Sequence, residues 1–593
     1  MLGLEQDCFW DFDVRRELLF LTYDRWEDFS EANRLALADR LLAGPNRLSH
    51  WSDDEYPKIR DELAARYTRW LTIRGRRLSA GQQERLEEMI SALPEWREGA
   101  ASSIAIENGM HGGWVGTDEA PDAVIDLPIN EIAERAQAGL QRDFGSFTEK
   151  RPFTGLVKTN PRKALASLSF AARNGAYPQA LWSALIRDWP EDTKPRLYRA
   201  FLNRLSRLPE VSIREVRHTL GRWVEDKFTK SFEFDSRLAW DTFDHVIAGL
   251  VSDGGSATGS GMGETRVGHE IIQKSRRTHG HAMNGPIGEA TEGLLRALNS
   301  LKPPQGRGIP DEFKSRIERL LVAPGEGADH AVAILTHQVS WLHYLDPVWV
   351  MDRMMPWFYF EHPSAEPAWN GYLSAARFPP QEIGIRLKPM LIQLFPAIYQ
   401  WSWDRHLAEV AAQMVVELGT MRRDRPDGLD RYEARQCLRN MDDRSRQEAI
   451  FRLGQIGKRS EKGWGNHVIP FIEEVWPRER KFRTSSLVSS WVNLLDSTGE
   501  DFPKILKAVR RFLVPVERDI HWLYQFAREV GGEQPMTANH PQAVLEMLDA
   551  IIPNSPEAAP NELAQILDLI EEKNPGLTRD RRFMRLLELV EMK

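Results

Sequence analysis

The chain has 593 residues, of which 42% are hydrophobic and 28% are charged. This length excludes a single small module, and this composition excludes a disordered chain because enough apolar surface is present to build a large core. A membrane span needs roughly 18 consecutive apolar residues, and no stretch of the sequence reaches that length. The N-terminal residues lack the basic start and long apolar run of a secretory signal, so we expect a cytoplasmic protein without membrane association.

The formal net charge of -8 is unevenly distributed along the chain. Residues 1–150 hold 18 Lys/Arg and 29 Asp/Glu, a balance of -11, and the remaining residues hold 60 and 57, a balance of +3. Neither part has the strong positive charge on which non-specific nucleic-acid binding depends. Nucleic acid therefore stays open as a ligand only through a local basic patch, and the acidic N-terminal part is a candidate docking surface for a basic partner.

Two residue types narrow the class of protein further. The only cysteines are Cys8 and Cys437, which are too few for a disulfide framework or a thiolate zinc site. The 20 tryptophans mostly lie beside aliphatic or aromatic residues at helical spacing. This placement predicts that they anchor a packed core, with exposed ligand platforms as the alternative.

From residue 151 onward, amphipathic segments alternate with short Pro, Gly, Asn or Asp punctuation. Asn160 and Pro161 predict a capped helix that ends at Asn174, and Ser212 and Glu215 have the spacing of a capping box. Further helices are predicted between residues 178 and 190 and between residues 195 and 208. After residue 285 the same pattern predicts helices over 286–301, 310–321, 328–345, 382–399, 406–420, 444–456, 466–476, 485–495, 503–514, 517–530, 541–552, 562–572 and 581–592.

Short connections between successive helices make neighbours antiparallel, and each apolar face is too narrow for a helix that stands alone. The sequence therefore predicts an all-α fold, an irregular α-solenoid of stacked helical hairpins similar to HEAT or TPR repeats, with one or two long loops and little or no sheet. No clean repeat period is present. The predicted organisation is an acidic helical unit over 1–98, a loop-rich connector over 99–150, helical repeats over 151–252, a glycine-rich basic loop over 253–285 and helical repeats over 286–593.

The segment 253–285 holds eight glycines. Its run 254–263 lacks the lysine and the preceding strand of a phosphate-binding loop, so we interpret this run as a flexible linker. The basic residues that follow are the best candidates for contact with a phosphate, a nucleic acid or a partner, although no interleaved aromatic ring offers a stacking platform. These residues are Lys274, Arg276, Arg277, His279 and His281.

Three other kinds of site find little support in the sequence. His269, His279, His281 and Glu270 could in principle bind a metal, but the motif that begins at His269 ends in Gln273 where a zinc hydrolase has a second histidine. No GxSxG nucleophile motif is present, and adjacent acids at helix ends are typical of capping. The arginines and aspartates of residues 422–446 indicate a solvated, salt-bridged helix face. We expect no catalytic residue, metal or cofactor.

Several short phrases of the sequence resemble one bacterial family. The chain is similar to the large helical region joined to sirtuin-like NAD-hydrolysing domains in antiphage defence proteins. The phrases that carry the resemblance are WDFDVRREL at 10–18, YDRWEDF at 23–29, RPF at 151–153, NPRKAL at 160–165, NGPIGEA at 284–290, LL at 294–295, WL at 341–342 and DPVW at 346–349.

The sirtuin-like catalytic domain should bring an NAD loop at the end of a strand, and this chain lacks that pattern. The resemblance therefore implies a non-catalytic sensor or scaffold that recognises a phage protein or a defence effector and regulates an NAD-depleting effector. Two alternatives stay open. One is a nucleic-acid-binding repeat protein that acts through residues 274–281, and the other is a metal-dependent enzyme that uses the loop histidines. The oligomeric state is also open.

Overall fold

The structure is a computed structural model of the chain. It describes residues 10, 15–47, 52, 56–93, 96, 116–138, 148–263, 265–267, 270–272, 274–403, 406–517, 523–527 and 534–593. These residues fall into two compact units, one formed by residues 1–118 and 142–149 and the other by residues 119–141 and 150–593.

The smaller unit is a helical cluster around buried aromatic rings. Ser30 caps its second helix, and Ser79 forms a capping box with Gln82 at the start of its fourth. Trp26 and Trp70 are fully buried, and the ring of Tyr23 lies edge-on to Trp70. The helices are α1 (Arg15–Asp24), α2 (Glu31–Ala43), α3 (Tyr56–Ile73) and α4 (Ala80–Ala92).

Strands within the described residues are short and few. β1 (Gly116–Asp118) pairs with β2 (Thr148–Lys150), and β3 (Thr265–Val267) pairs with β4 (Glu270–Ile272) in antiparallel register. Residues 99–115 and 139–147 of the predicted connector lie outside the described residues.

The larger unit consists of helices that follow one another closely. Its α-helices are α5 (Asp122–Ile125), α6 (Ile129–Ala138), α7 (Pro152–Thr159), α8 (Pro161–Arg173), α9 (Gln179–Arg187), α10 (Pro195–Leu205), α11 (Glu210–Glu215), α12 (Arg217–Phe234), α13 (Ser236–Val251), α14 (His279–Ala282), α15 (Pro286–Ser300), α16 (Asp311–Leu320), α17 (Gly327–His337), α18 (Val339–Leu345), α19 (Pro347–Trp349), α20 (Ala365–Ser374), α21 (Gln381–Gln400), α22 (His406–Gly419), α23 (Arg431–Asn440), α24 (Asp443–Lys458), α25 (Ser485–Asp496), α26 (Phe502–Val509), α27 (Tyr524–Ala527), α28 (Met536–Asn539), α29 (Pro541–Ile551), α30 (Leu563–Lys573) and α31 (Arg581–Glu591).

Tighter and wider turns join some of these helices. The π-helical segments are Val350–Met354, Trp464–Val468 and Phe471–Val475. The 3₁₀ segments of the two units are Trp26–Asp28, Ser256–Thr258, Met355–Phe358, Arg480–Phe482, Gly499–Asp501, Arg510–Phe512, Pro556–Ala558 and Pro575–Arg579.

The helices of the larger unit stack in the order of the chain. α12 packs on α15, α15 on α17, α17 on α20, α20 on α22, α22 on α24 and α24 on α25. One continuous apolar core runs along this stack from Val124 to Leu589. Because each helix buries its apolar stripe against the next layer, the unit is an irregular all-α solenoid, as the sequence predicts.

Several predicted core tryptophans and one predicted helix cap are present in the structure. Six tryptophans in the described residues are fully buried, which confirms the core interpretation for them: Trp26, Trp70, Trp182, Trp369, Trp476 and Trp491. Asn160 caps α8 by accepting a hydrogen bond from the Lys163 N–H, and α8 ends beside Asn174 as predicted.

Other details differ from the predictions. The capping box at Ser212 is wrong, because Ser212 lies inside α11, where the Ile213 N–H already donates to the Pro209 carbonyl. The segment predicted over 328–345 is two helices that meet at Gln338. The segment predicted over 466–476 is π-helical, and much of 517–530 lies outside the described residues.

Candidate functional site

Two parts of the glycine-rich segment, residues 253–263 and 274–285, pack against the helical stack. We call these two parts the strap. The Thr258 hydroxyl donates to the Pro324 carbonyl at 2.9 Å. A Cβ on Gly255, which has a φ of +105°, would lie 2.5 Å from the Gly325 amide nitrogen. The flexible-linker prediction is therefore wrong for 254–263, since only glycine permits this backbone conformation and this close approach.

Arg276 fastens the strap to the start of α17. Its guanidinium donates to both carboxylate oxygens of Glu326 and, at 3.0 Å, to the Ser260 carbonyl. The Ser260 N–H donates to Glu326 in turn, also at 3.0 Å. The arginine thus links two parts of the strap and one helix through a single carboxylate.

Arg277 joins two layers of the stack. It donates to Asp329 on α17 through two hydrogen bonds of 2.7 and 2.8 Å, and to Glu366 on α20 at 3.2 Å. The indole N–H of Trp403 donates to the other oxygen of Glu366 at 3.1 Å. The bond to Asp329 raises the pKa of the Arg277 guanidinium, so this side chain is a permanently charged pin between α17 and α20.

The two described histidines of the strap lie on the short helix α14. The ring of His279 stacks on His337 with centroids 4.2 Å apart, and its backbone N–H donates to Asn370 at 2.7 Å. Burial, with His337 adding to it, lowers the pKa of His279 to about 4. Thr278 caps α14 and lies 2.9 Å from a ring nitrogen of His281. These rings are packing elements of the stack.

The carboxylates that pair with the strap arginines would compete with the predicted anionic ligand. Two arginines face three carboxylates there, namely Glu326, Asp329 and Glu366. A phosphate or nucleic acid would have to displace carboxylates from Arg276 and Arg277. Lys274 is exposed. Contact between 274–281 and an anion stays a prediction, and the local charge balance disfavours it.

The described residues hold no group of three or more His, Cys, Asp or Glu side chains that could bind a metal ion. His269, which the metal alternative requires, lies outside the described residues. The other two histidines of that alternative, His279 and His281, are bound into α14 and its neighbours.

One buried carboxyl group was not singled out by sequence reasoning. Glu289 on α15 is 4% exposed, and Arg222 on α12 lies 3.3 Å from it. A Cβ on Gly221 would lie 2.2 Å from a Glu289 carboxyl oxygen, so glycine leaves room for this group at the helix crossing. Burial raises the pKa of Glu289 to about 7 against the opposing charge of Arg222.

This carboxyl group should make the stability of the larger unit depend on pH. A raised pKa means that the folded chain binds the proton more tightly, so stability falls as pH rises from about 4.5 to 7 and is level above. We expect Glu289→Gln to remove about 2–3 kcal/mol of that fall. The measurement is hydrogen exchange of peptides from α15 in both proteins, corrected for the intrinsic exchange rate at each pH, which gives the opening free energy as a function of pH. An equal fall in both proteins would contradict the expectation.

A second group of basic residues lines an open cleft of about 620 Å³ beside α23. Its lining residues, which we call the arginine cleft, are Arg431, Tyr432, Arg435, Arg439, Glu474, Arg478 and Glu479. Three of the arginines repeat every four residues along α23 and therefore share one face of that helix. Four arginines against two glutamates leave two positive charges in the cleft.

The hydrogen bonds of the cleft differ from those of the strap. Arg435 donates to the backbone carbonyls of Glu474 and Val475, and Arg478 donates to the carbonyl of Glu473. These carbonyls end the π-helical segment Phe471–Val475, so the arginines cap it without losing their charge to a carboxylate. Only Arg439 among the four has a carboxylate bond in the described residues, to Glu479 at 2.6 Å.

Sequence reasoning interpreted residues 422–446 as a salt-bridged face. The predicted salt bridges are present at both ends, where Asp427 pairs with Arg422 and Arg425 and where Asp443 pairs with Arg446. The predicted solvated helix face is wrong there, because Asp427 and Arg446 are buried and residues 422–427 lie in a turn before α23. The same interpretation did not identify the arginine cleft between these ends. The sequence signal for the cleft was the i, i+4, i+8 spacing of Arg431, Arg435 and Arg439. Arg478 could not have been added from the sequence, since it lies about forty residues away from that face.

Comparison with known proteins adds little about function. No family model matches the sequence. The chain is 20% identical over 323 residues to the uncharacterized protein y4cA of Sinorhizobium fredii, a match that covers 52% of this chain and 26% of that protein. The chain thus spans about a quarter of the length of that relative.

A solved structure, a circular tandem repeat protein with novel repeat topology and enhanced subunit contact surfaces, aligns with 98% of this chain and 94% of its own at 12% identity. Its TM-score of 0.11 means that the two backbones do not superpose, so the solenoid assignment rests on the helix packing within this chain. In the described parts of the chain, no helix combines the length and the apolar character that crossing a membrane requires.

Proposed function

We propose that this chain is a non-catalytic, cytoplasmic helical-repeat protein that recognises a protein partner as a sensor or scaffold. In the role that the family resemblance implies, it belongs to a bacterial antiphage defence system. There it regulates an NAD-depleting effector that resides on another domain or chain.

The observation that carries the proposal is how the strap holds the stack. Arg277 ties α17 to α20 through charged hydrogen bonds, and Arg276 ties the strap to α17. A segment held by charge pairs at partly exposed positions is easier to rearrange than one held by deep apolar burial. A partner that competes for these bonds would therefore change the packing of adjacent layers, which is what a sensor requires.

The positions of the resembling phrases give further support. Asn160 and Asp346 are helix caps, and Gly288 allows α15 to lie against the Ala282 carbonyl. These phrases therefore specify helix starts and close contacts rather than reacting groups. A resemblance of this kind carries over the scaffold of a family and leaves the chemistry to its other domain.

The test uses the full chain in two assays. Incubated with NAD, the purified chain should leave the NAD concentration unchanged; turnover would contradict the non-catalytic part. In a bacterial host that expresses the chain with its neighbouring reading frames, infection should lower cellular NAD and phage plating, and deletion of this chain alone should abolish both effects. Protection that persists without the chain would contradict the sensor role.

A further inference from the structure

We propose that the arginine cleft on α23 is a binding site for single-stranded nucleic acid. This goes beyond the recognition of a protein partner, and it places any nucleic-acid site about 150 residues away from the basic loop that the sequence suggested. Four features of the cleft carry the inference.

The first feature is uncompensated charge. The two arginines of the strap face three carboxylates of the helical stack, whereas the four arginines that line the cleft face two. Local positive charge supplies most of the affinity of a protein for a nucleic-acid backbone. The cleft therefore meets the requirement that the strap does not.

The second feature is the availability of donors. Arg435 uses two of its nitrogen atoms on neutral carbonyls. A guanidinium carries five N–H donors, so donors remain to bind a phosphate while the carbonyl bonds hold the side chain in place. Arg478 is held in the same way by the Glu473 carbonyl. Such prior ordering lowers the entropy cost of binding.

The third feature is spacing. Arg431, Arg435 and Arg439 start from backbone positions about 6 Å apart along α23, as the helical rise dictates. They form a row of about 12 Å that a flexible chain of phosphates can follow over two or three nucleotides. Because the cleft is open, the ligand needs no entry path through the stack.

The fourth feature is an aromatic ring within the row. Tyr432 is 62% exposed, and the guanidinium of Arg431 lies 4.9 Å from the centre of its ring. An exposed ring beside arginines offers a base a stacking surface, which an acidic peptide would not use. This ring is the observation that favours nucleic acid over an acidic protein segment.

The test is a fluorescence anisotropy titration of the full chain with a labelled twelve-nucleotide oligothymidine. With two or three phosphates bound, we expect affinity to fall about 7- to 20-fold between 50 and 200 mM salt. The variant Arg431→Ala/Tyr432→Ala changes two exposed residues and should leave the fold intact. It should weaken binding at least about 10-fold and make the salt dependence shallower.

Three comparisons keep the test decisive. Tyr432→Phe retains the ring and should bind nearly as the parent chain does. Arg207→Ala/Arg237→Ala removes two exposed arginines elsewhere in the same unit and should bind unchanged. Polyglutamate of matched charge should compete poorly. The inference is overturned if the Arg431/Tyr432 variant binds like the parent chain, or if polyglutamate competes as well as the oligonucleotide. None of these results depends on a role in defence.

Discussion

Replacing Arg277 by alanine is expected to make local opening around the strap easier by about 2–3 kcal/mol. The change removes two bonds to Asp329 and one to Glu366, an 11% exposed side chain that keeps its hydrogen bond from the Trp403 indole. Breaking a fully buried pair costs about 3–5 kcal/mol, and the value here is smaller because Arg277 is 36% exposed and partly screened by water.

Hydrogen exchange is the suitable measurement, because a chain of this length does not unfold in a single step. Peptides that cover the strap, α17 and α20 should exchange faster in the Arg277→Ala variant, while peptides from α24 and α25 should not. Arg207→Ala, a change at an exposed arginine, should stay within about 0.5 kcal/mol of the parent chain. If the two variants behave alike, Arg277 does not pin the two layers.

The second large effect is expected at the crossing of α12 and α15. A Cβ on Gly293 would lie 2.3 Å from the Val224 carbonyl oxygen and 3.0 Å from the Glu225 Cα. Because both neighbours are backbone atoms of a helix, no side-chain movement relieves the clash, and the helices must move apart. We expect Gly293→Ala to destabilise the larger unit by about 3 kcal/mol, at the upper end of overpacking costs.

Gly454 on α24 is the matched control. A Cβ there would meet no heavy atom closer than the Ser497 hydroxyl oxygen at 3.8 Å. Gly454→Ala should therefore stabilise its helix by up to about 1 kcal/mol, since alanine has the higher helix propensity. Thermal unfolding should show shifts of opposite sign for the two variants. A destabilisation at Gly454 equal to that at Gly293 would show that the close crossing is not the cause.

Helix existence and fold class could be read from the sequence because they depend on short-range patterns. The cap at Asn160, the stop at Asn174 and the recurring apolar stripes act within a few residues of each other. The exact start and end of some helices could not be predicted from the sequence, because they depend on how the chain packs around them. The cap at Ser212 failed because Pro209 starts the helix earlier, and the break at Gln338 within a continuous apolar pattern carries no local signal.

The candidate sites show the same division more sharply. The sequence by itself determined where charged side chains are concentrated, in the basic loop at 274–281 and in the segment rich in arginine and aspartate at 422–446. Only the tertiary structure decided which of those charges are neutralised. Arg277 meets carboxylates from positions 329 and 366, whereas Arg435 meets carbonyls from positions 474 and 475. Electrostatic partners are set by distance in space, which stacking of separate helices fixes and sequence spacing does not.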